Sequence, residues 1–173
     1  MLENLPVLID QDEIQKRIAE VAAEIDKDYN GEEVVVISIL KGAVFFTVDL
    51  VKKMKTPIQL EVMQISSYSG TESTGELIVK KDLDIDIEGK NVLVVEDIID
   101  TGTTLSYLKQ YLASKNPKSL KIAVMLDKKE RRKVELEADY VGFEIPNKFV
   151  VGYGLDGGGS LYRNLPYVGY FEE

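Results

Sequence analysis

The stretch "VLVVEDIIDTGTTL", residues 92–105, decides the fold. Four consecutive aliphatics, Val92 to Val95, read as a strand buried on both faces, the pattern of a parallel sheet covered by helices. Thr103, Thr104 and Leu105 open a helix, and Gly102 lies in the turn between. A strand, a Gly/Thr turn and a helix N-terminus form a place where backbone N–H groups and the helix dipole favour an anion. Yet Glu96, Asp97 and Asp100 put three carboxylates into five residues at that spot. Spacing alone does not resolve this conflict, because a solvated acidic turn has the same composition.

The same alternation of strand and helix extends in both directions. Asp10 with Glu13 reads as an N-cap and capping box, and Ile14, Ile18, Val21, Ala22, Ile25 and Tyr29 follow at helical spacing until Asn30-Gly31 ends the helix. "VVVISIL" (34–40) is a buried strand. "KGAVFFTVDLVKKM" (41–54) is helical with a basic end, Pro57 breaks it, and "IQLEVMQIS" (58–66) alternates as a strand. Between Ser67 and Gly75, "SYSGTESTG" is small and polar with nothing to build a core, so a mobile loop is expected. Further strands are predicted near 77–79, at 91–95, over "SLKIAVML" (119–126), and in "YVGF" (140–143) and "FVVGYGL" (149–155). A helix carries Leu105, Leu108 and Leu112.

This order implies an α/β fold, an open, mostly parallel twisted sheet flanked by helices, and with no repeat or linker a single domain over residues 1–173. Ligands of such sheets sit beyond the carboxyl ends of the strands, where polar loops follow Leu40, Val95 and Leu126.

Composition narrows the chemistry. The 173 residues include no cysteine and no histidine. Thiol and Ser/His/Asp catalysis are therefore excluded, as are zinc sites built on Cys or His, and acid/base work near neutral pH falls to Asp, Glu, Lys, Tyr or water. A bound metal would be hard and oxygen-liganded, magnesium or manganese. The net charge of −9 argues against nucleic acid and anionic membranes as partners. No apolar run approaches a membrane span and the first residues lack the basic start of a signal peptide, so a soluble, cytoplasmic protein is expected. No "GxxxxGK[ST]" is present, which removes the Walker-type ATPase as a reading of the acidic loop.

"VLVVEDIIDTGTTL" resembles the phosphoribosyl diphosphate signature of the type I phosphoribosyltransferases, and its Glu-Asp-Ile-Ile-Asp-Thr-Gly form is similar to the hypoxanthine-guanine branch. "SILKGAVFF" (38–46), "SSYSGTESTGE" (66–76), "LDKKERR" (126–132), "VGFEIPNKFVVGYGLD" (141–156) and "YRNLPYVG" (162–169) fall in the same order as in that family, so the resemblance covers almost the whole chain. It implies the family fold, with a small hood from the chain ends, and the transfer of a 5-phosphoribosyl group to N9 of hypoxanthine or guanine with magnesium as cofactor, manganese being a possible substitute. Homodimers or homotetramers are implied as well.

The resemblance also assigns residues and answers the conflict in the opening stretch. Asp100, Thr101, Gly102, Thr103 and Thr104 hold the 5′-phosphate, while Glu96 and Asp97 face the ribose hydroxyls directly or through metal, so donors and carboxylates serve different parts of one ligand. Asp100 takes the N7 proton as positive charge spreads over the imidazole half of the base, a task within reach of an ordinary carboxylate. Lys41 and Gly42 aim backbone N–H groups at the pyrophosphate, and the Leu40–Lys41 peptide can be cis. Ser67 and Tyr68 close over the leaving group as part of a lid at about 67–75. Lys128 donates to the purine 6-oxo group, Phe149 stacks on the base, Val150 supplies backbone contacts, Asp156 lies at the purine site and holds a second metal, and Arg163 lies on the phosphoribosyl diphosphate side. The rest of "DKKERRK" (127–133) reads as a solvated charged turn.

One departure stands out. Where the family has an aromatic residue after the acid, this chain reads "DGGGSLYR" (156–163), which loosens the segment and removes a stacking face. Two rivals follow: a relative preferring xanthine, and a regulator that keeps the fold but binds RNA, which would need a basic face.

Overall fold

The computed structural model describes residues 5–67 and 77–172. The central strand pair explains the architecture. Strands β2 (Val34–Leu40) and β5 (Asn91–Ile99) run side by side in parallel, and nearly every side chain over their first halves is buried. Such strands need helices on both faces. On one face pack α1 (Gln11–Tyr29) and α2 (Val44–Lys53), around Ile14, Ile18, Ile25, Phe46 and Leu50; on the other lies α3 (Thr103–Ala113), with Leu105, Leu108 and Leu112 against Ile37, Val92 and Val94.

Flanking strands complete a six-stranded sheet. β3 (Ile58–Ser67) pairs parallel with β2, β4 (Leu77–Lys81) runs antiparallel to β3, and β6 (Ser119–Asp127) and β7 (Tyr140–Glu144) continue in parallel beyond β5. A second, antiparallel sheet joins both chain ends: β1 (Val7–Ile9) and β8 (Val150–Val151) flank β9 (Val168–Tyr170). This is the hood that the resemblance implied, and the mostly parallel α/β architecture agrees with the expectation. No helix among the described residues is long and apolar enough to cross a membrane.

The capping box at Asp10 is present, with Glu13 N–H donating to Asp10 Oδ1 at 2.9 Å and Asp10 N–H donating to Glu13 Oε2 at 3.1 Å. Asn30, at φ 48°, takes the left-handed turn that ends α1. Several boundaries differ from expectation. β5 does not stop at Val95 but continues to Ile99, because Glu96, Ile98 and Ile99 stay in register with Val124, Leu126 and Asp127 of β6. Consequently Glu96 and Asp97 sit on a strand and not in a loop. α2 begins at Val44, not Lys41, since residues 41–43 form the turn that brings the chain off β2. "FVVGYGL" is a strand only at Val150–Val151. Gly152, Tyr153 and Gly154 have φ of 92°, 49° and 98°, left-handed values that end the extended run in a turn. The lid expected at about 67–75 falls, apart from Ser67 at the end of β3, outside the described residues, and with it Tyr68.

Candidate active site

Three loops converge at the carboxyl edge of the sheet, following β2, β5 and β6. The first element of the site is the start of α3. Gly102 is its N-cap at φ 80°, no side chain caps it, and Thr103 N–H makes only a long, 3.4 Å bond to the Thr101 hydroxyl, so first-turn N–H groups remain available to a ligand. Glu96, Ile98, Ile99, Asp100, Thr101, Gly102, Thr104 and Leu105 line a cavity of about 150 Å³ there. Its size and its donors suit a small anion.

Beside it lie the two acids. Asp97 N–H donates to Glu96 Oε1 at 3.0 Å, and Ile98 N–H donates to Asp97 Oδ1 at 2.7 Å. Burial raises the proton affinity of both. For Glu96 the adjacent Asp97 charge adds to it, while for Asp97 the hydrogen bonds from Glu96 and the Ile98 N–H, with the positive charge of Arg163, oppose it. Two half-buried acidic side chains held side by side are a fitting place for a cation. No group of three metal-ligating side chains occurs among the described residues. Two adjacent carboxylates would fit a hard cation such as magnesium, which is commonly held by one or two protein carboxylates together with substrate oxygens and water.

Gly42 is pressed against this pair. A Cβ at Gly42 would lie 1.6 Å from Asp97 Oδ2, and a Cβ at Gly154 would lie 2.1 Å from the Gly42 carbonyl. The turn after β2 is thus sandwiched between Asp97 and the 152–155 turn, at separations that only glycine permits. The Leu40–Lys41 peptide is cis, and Lys41 is exposed.

The third group comes from β6 and the hood. Lys128 is 7% exposed, its N–H donates to the Ile99 carbonyl at 2.9 Å, and burial pulls its ammonium below the usual lysine range, with Asp100 opposing and Arg131 assisting. Phe149 is exposed at 58%, a large apolar ring presented to solvent, and one side of it is stacked on Phe171 at 5.9 Å between centroids. The Phe171 N–H donates to the Phe149 carbonyl. Bonded and non-bonded pairs alternate along antiparallel strands, so the N–H and C=O of Val150, the next residue, face the open edge of β8. The larger concavity of about 510 Å³ lined by Asn147, Lys148, Phe149, Tyr170, Phe171 and Glu172 lies on the hood, and of the candidate residues it includes Phe149 alone.

Asp156 does not join Glu96 and Asp97 in one three-acid cluster among the described residues. It pairs with Arg163 at 3.0 Å, and Arg163 Nη1 also donates to the Gly154 carbonyl at 2.5 Å. Asp100 has a neighbour that the sequence does not reveal: Arg131 Nε lies 2.7 Å from Asp100 Oδ1. The charged run is also less uniform than its composition implies. Lys129, Glu130 and Arg131 are exposed, as a solvated turn should be, but Asp127 is fully buried and Arg132 is bonded to it. Nothing in the local pattern distinguishes Arg132 from Arg131; only the fold does.

A strand-borne acid pair, an uncapped helix start and a buried lysine thus stand at the carboxyl ends of the neighbouring strands β5 and β6. The chain belongs to the phosphoribosyltransferase family: the family model for the phosphoribosyl transferase domain matches residues 9–157. Among similar proteins is the hypoxanthine-guanine phosphoribosyltransferase of Aquifex aeolicus, 50% identical over 173 residues, or 99% of this chain and 97% of that protein. The bifunctional protein TilS/HprT of Listeria monocytogenes is also 50% identical, over 94% of this chain, and the chain spans about a quarter (25%) of its length. A crystal structure of a Bacillus anthracis hypoxanthine-guanine phosphoribosyltransferase superposes with a TM-score of 0.93 at 46% identity, over 98% of this chain and all of that one.

Proposed function

We infer that the protein transfers the 5-phosphoribosyl group of phosphoribosyl diphosphate to N9 of hypoxanthine and guanine, releasing pyrophosphate and the purine nucleoside monophosphate, a purine-salvage reaction. The observation that carries this is the meeting of three unlike groups at one sheet edge: the uncapped start of α3, the half-buried Glu96–Asp97 pair and the buried Lys128. Each matches a different part of the two substrates.

In this reading the N–H groups and hydroxyls of Asp100 to Thr104 hold the 5′-phosphate, and Lys41 and Gly42 direct backbone N–H groups at the diphosphate. Glu96 and Asp97 face the ribose diol and hold magnesium, or manganese in its place, which when bound supplies charge neutralisation of the diphosphate. Arg163 stands on the diphosphate side, and Asp156, paired with it, is a second candidate for metal next to the base. On the base side Lys128 donates to the 6-oxo oxygen, Phe149 offers its open face to the purine ring and Val150 offers backbone groups at the β8 edge. As N9 bonds to C1′ and the diphosphate leaves, the N7 proton becomes acidic and passes to the Asp100 carboxylate. Ser67 and Tyr68 belong to a lid that keeps water from the developing cationic sugar.

The reading includes one domain over residues 1–173, a cytoplasmic location and a homodimer or homotetramer. Support for self-association comes from the exposed apolar face Val44, Phe45 and Val48 of α2. The decisive experiment is incubation with phosphoribosyl diphosphate, magnesium and each purine base, for wild type and Asp100→Asn. Asp100→Asn should bind both substrates and lose on the order of 10² in kcat. A variant within a few-fold of wild type refutes the role of Asp100.

A further inference from the structure

Arg132 sits in a run of charge, yet its side chain is only 12% exposed. Its guanidinium reaches acceptors on three separate segments: Nε donates to the Asp100 carbonyl at 3.4 Å, Nη1 to the Leu136 carbonyl and Nη2 to Asp127 Oδ1. Asp127 ends β6 immediately before Lys128, is fully buried, and its other oxygen, Oδ2, has no hydrogen-bond partner among the described residues. The stem of Arg132 also covers the loop at the start of α3, since a Cβ at Gly102 would come within 2.9 Å of Arg132 Cδ. Two backbone bonds of 2.9 Å run the same way, from Lys133 N–H to the Thr101 carbonyl and from Lys128 N–H to the Ile99 carbonyl.

We propose that Arg132 is a positioning residue of the transfer reaction, a planar fork that fixes the segment carrying Asp100 relative to the segment carrying Lys128. Arg132 acts through the Asp100 carbonyl and the Asp127 carboxylate, the peptide neighbour of Lys128. It sets the distance between the carboxylate that receives the N7 proton and the ammonium that holds the 6-oxo oxygen. These two groups bracket the purine, and a shift of about 1 Å between them is enough to cost on the order of 10²-fold in rate. Arginine is required because a guanidinium offers donors in several fixed directions, whereas a lysine ammonium at the end of a flexible stem cannot span the three acceptors. The inference rests on the roles of Asp100 and Lys128 given above.

A purely structural Arg132 would do no more than neutralise the buried Asp127, and the two possibilities part when both charges are removed. Arg132→Met, Arg132→Lys and the double variant Asp127→Asn with Arg132→Met are compared with wild type for melting temperature, kcat, and KM of hypoxanthine and of phosphoribosyl diphosphate. Arg132→Met should be strongly destabilised, because it leaves a buried carboxylate without its partner. The double variant should recover most of the melting temperature but remain about 10-fold to 100-fold low in kcat/KM, with KM raised for both substrates. Arg132→Lys should fold and show the same kinetic defect, and it carries the reading if the double variant fails to fold. Wild-type kcat/KM in either folded variant overturns the positioning role. Full activity of Asp100→Asn with Arg132 intact would instead refute the assigned proton acceptor, so the two failures are distinguishable.

Discussion

Gly42→Ala places one methyl group where the structure leaves no room for it, and its effect can be worked out atom by atom. The new Cβ would stand 1.6 Å from Asp97 Oδ2, 2.6 Å from its Cγ and 3.3 Å from its Cβ. Gly42 is not among the residues with positive φ, so alanine is compatible with the local backbone and the clash alone is tested. To reach ordinary contact, 3.4 Å, the carboxylate oxygen must retreat by roughly 1.8 Å. The turn itself cannot retreat instead, because the Gly42 carbonyl is already held against Gly154. Rotation of Asp97 breaks its bond from the Ile98 N–H, which with residual crowding costs about 1 to 3 kcal/mol of stability. For function the displacement matters more if, as proposed above, Asp97 holds metal and the ribose diol. A misplacement of that size corresponds to on the order of 10² in kcat/KM, about 2.7 kcal/mol of transition-state stabilisation. The assay is kcat/KM for phosphoribosyl diphosphate with magnesium, alongside circular dichroism and a melting curve. A folded Gly42→Ala with kcat/KM within about three-fold of wild type would show that the position of Asp97 does not control the reaction.

Other outcomes follow from the same geometry. Lys128→Ala should lose the preference for 6-oxopurines over adenine, since an ammonium can only donate and meets a 6-amino group donor to donor; an unchanged ranking of kcat/KM over hypoxanthine, guanine, xanthine and adenine removes Lys128 from that role. Activity should disappear in excess chelator and return with magnesium or manganese, and full turnover in chelator would show that the Glu96–Asp97 pair needs no cation. Asp26 accepts hydrogen bonds from Lys55 N–H, Thr56 N–H and the Thr56 hydroxyl at 2.7 to 3.0 Å. Although burial opposes its ionisation, these bonds win and hold the carboxyl below its usual value. A depressed pKa contributes stability that is complete above the unfolded value of about 4 and is lost as pH falls through the folded one. Asp26→Asn should therefore cost about 1 kcal/mol at pH 7, with the gap to wild type closing below about pH 4, and a gap that is constant with pH rules out the linkage.

The set of elements and their class follow from the order of residues alone. Binary pattern is a local property, so the period of Ile14 to Tyr29, the aliphatic runs at 34–40 and 119–126 and the capping box at Asp10 all carry their structure in the order of residues. The strand, turn and helix start at 92–105 were equally legible, because they are built from consecutive residues. Features that need two distant segments at once become visible only in the folded chain. β5 runs on to Ile99 because β6 is there to pair with it, and Glu96 and Asp97 become a half-buried pair for that reason. Gly42 looks like any strand-end glycine until Asp97 and Gly154 close on it from residues more than fifty positions away. Likewise, Arg131 and Arg132 are adjacent and chemically identical, yet one lies exposed beside Asp100 while the other is packed among Asp100, Asp127 and Leu136. Burial depends on which segment covers which, and no window of neighbouring residues contains that information.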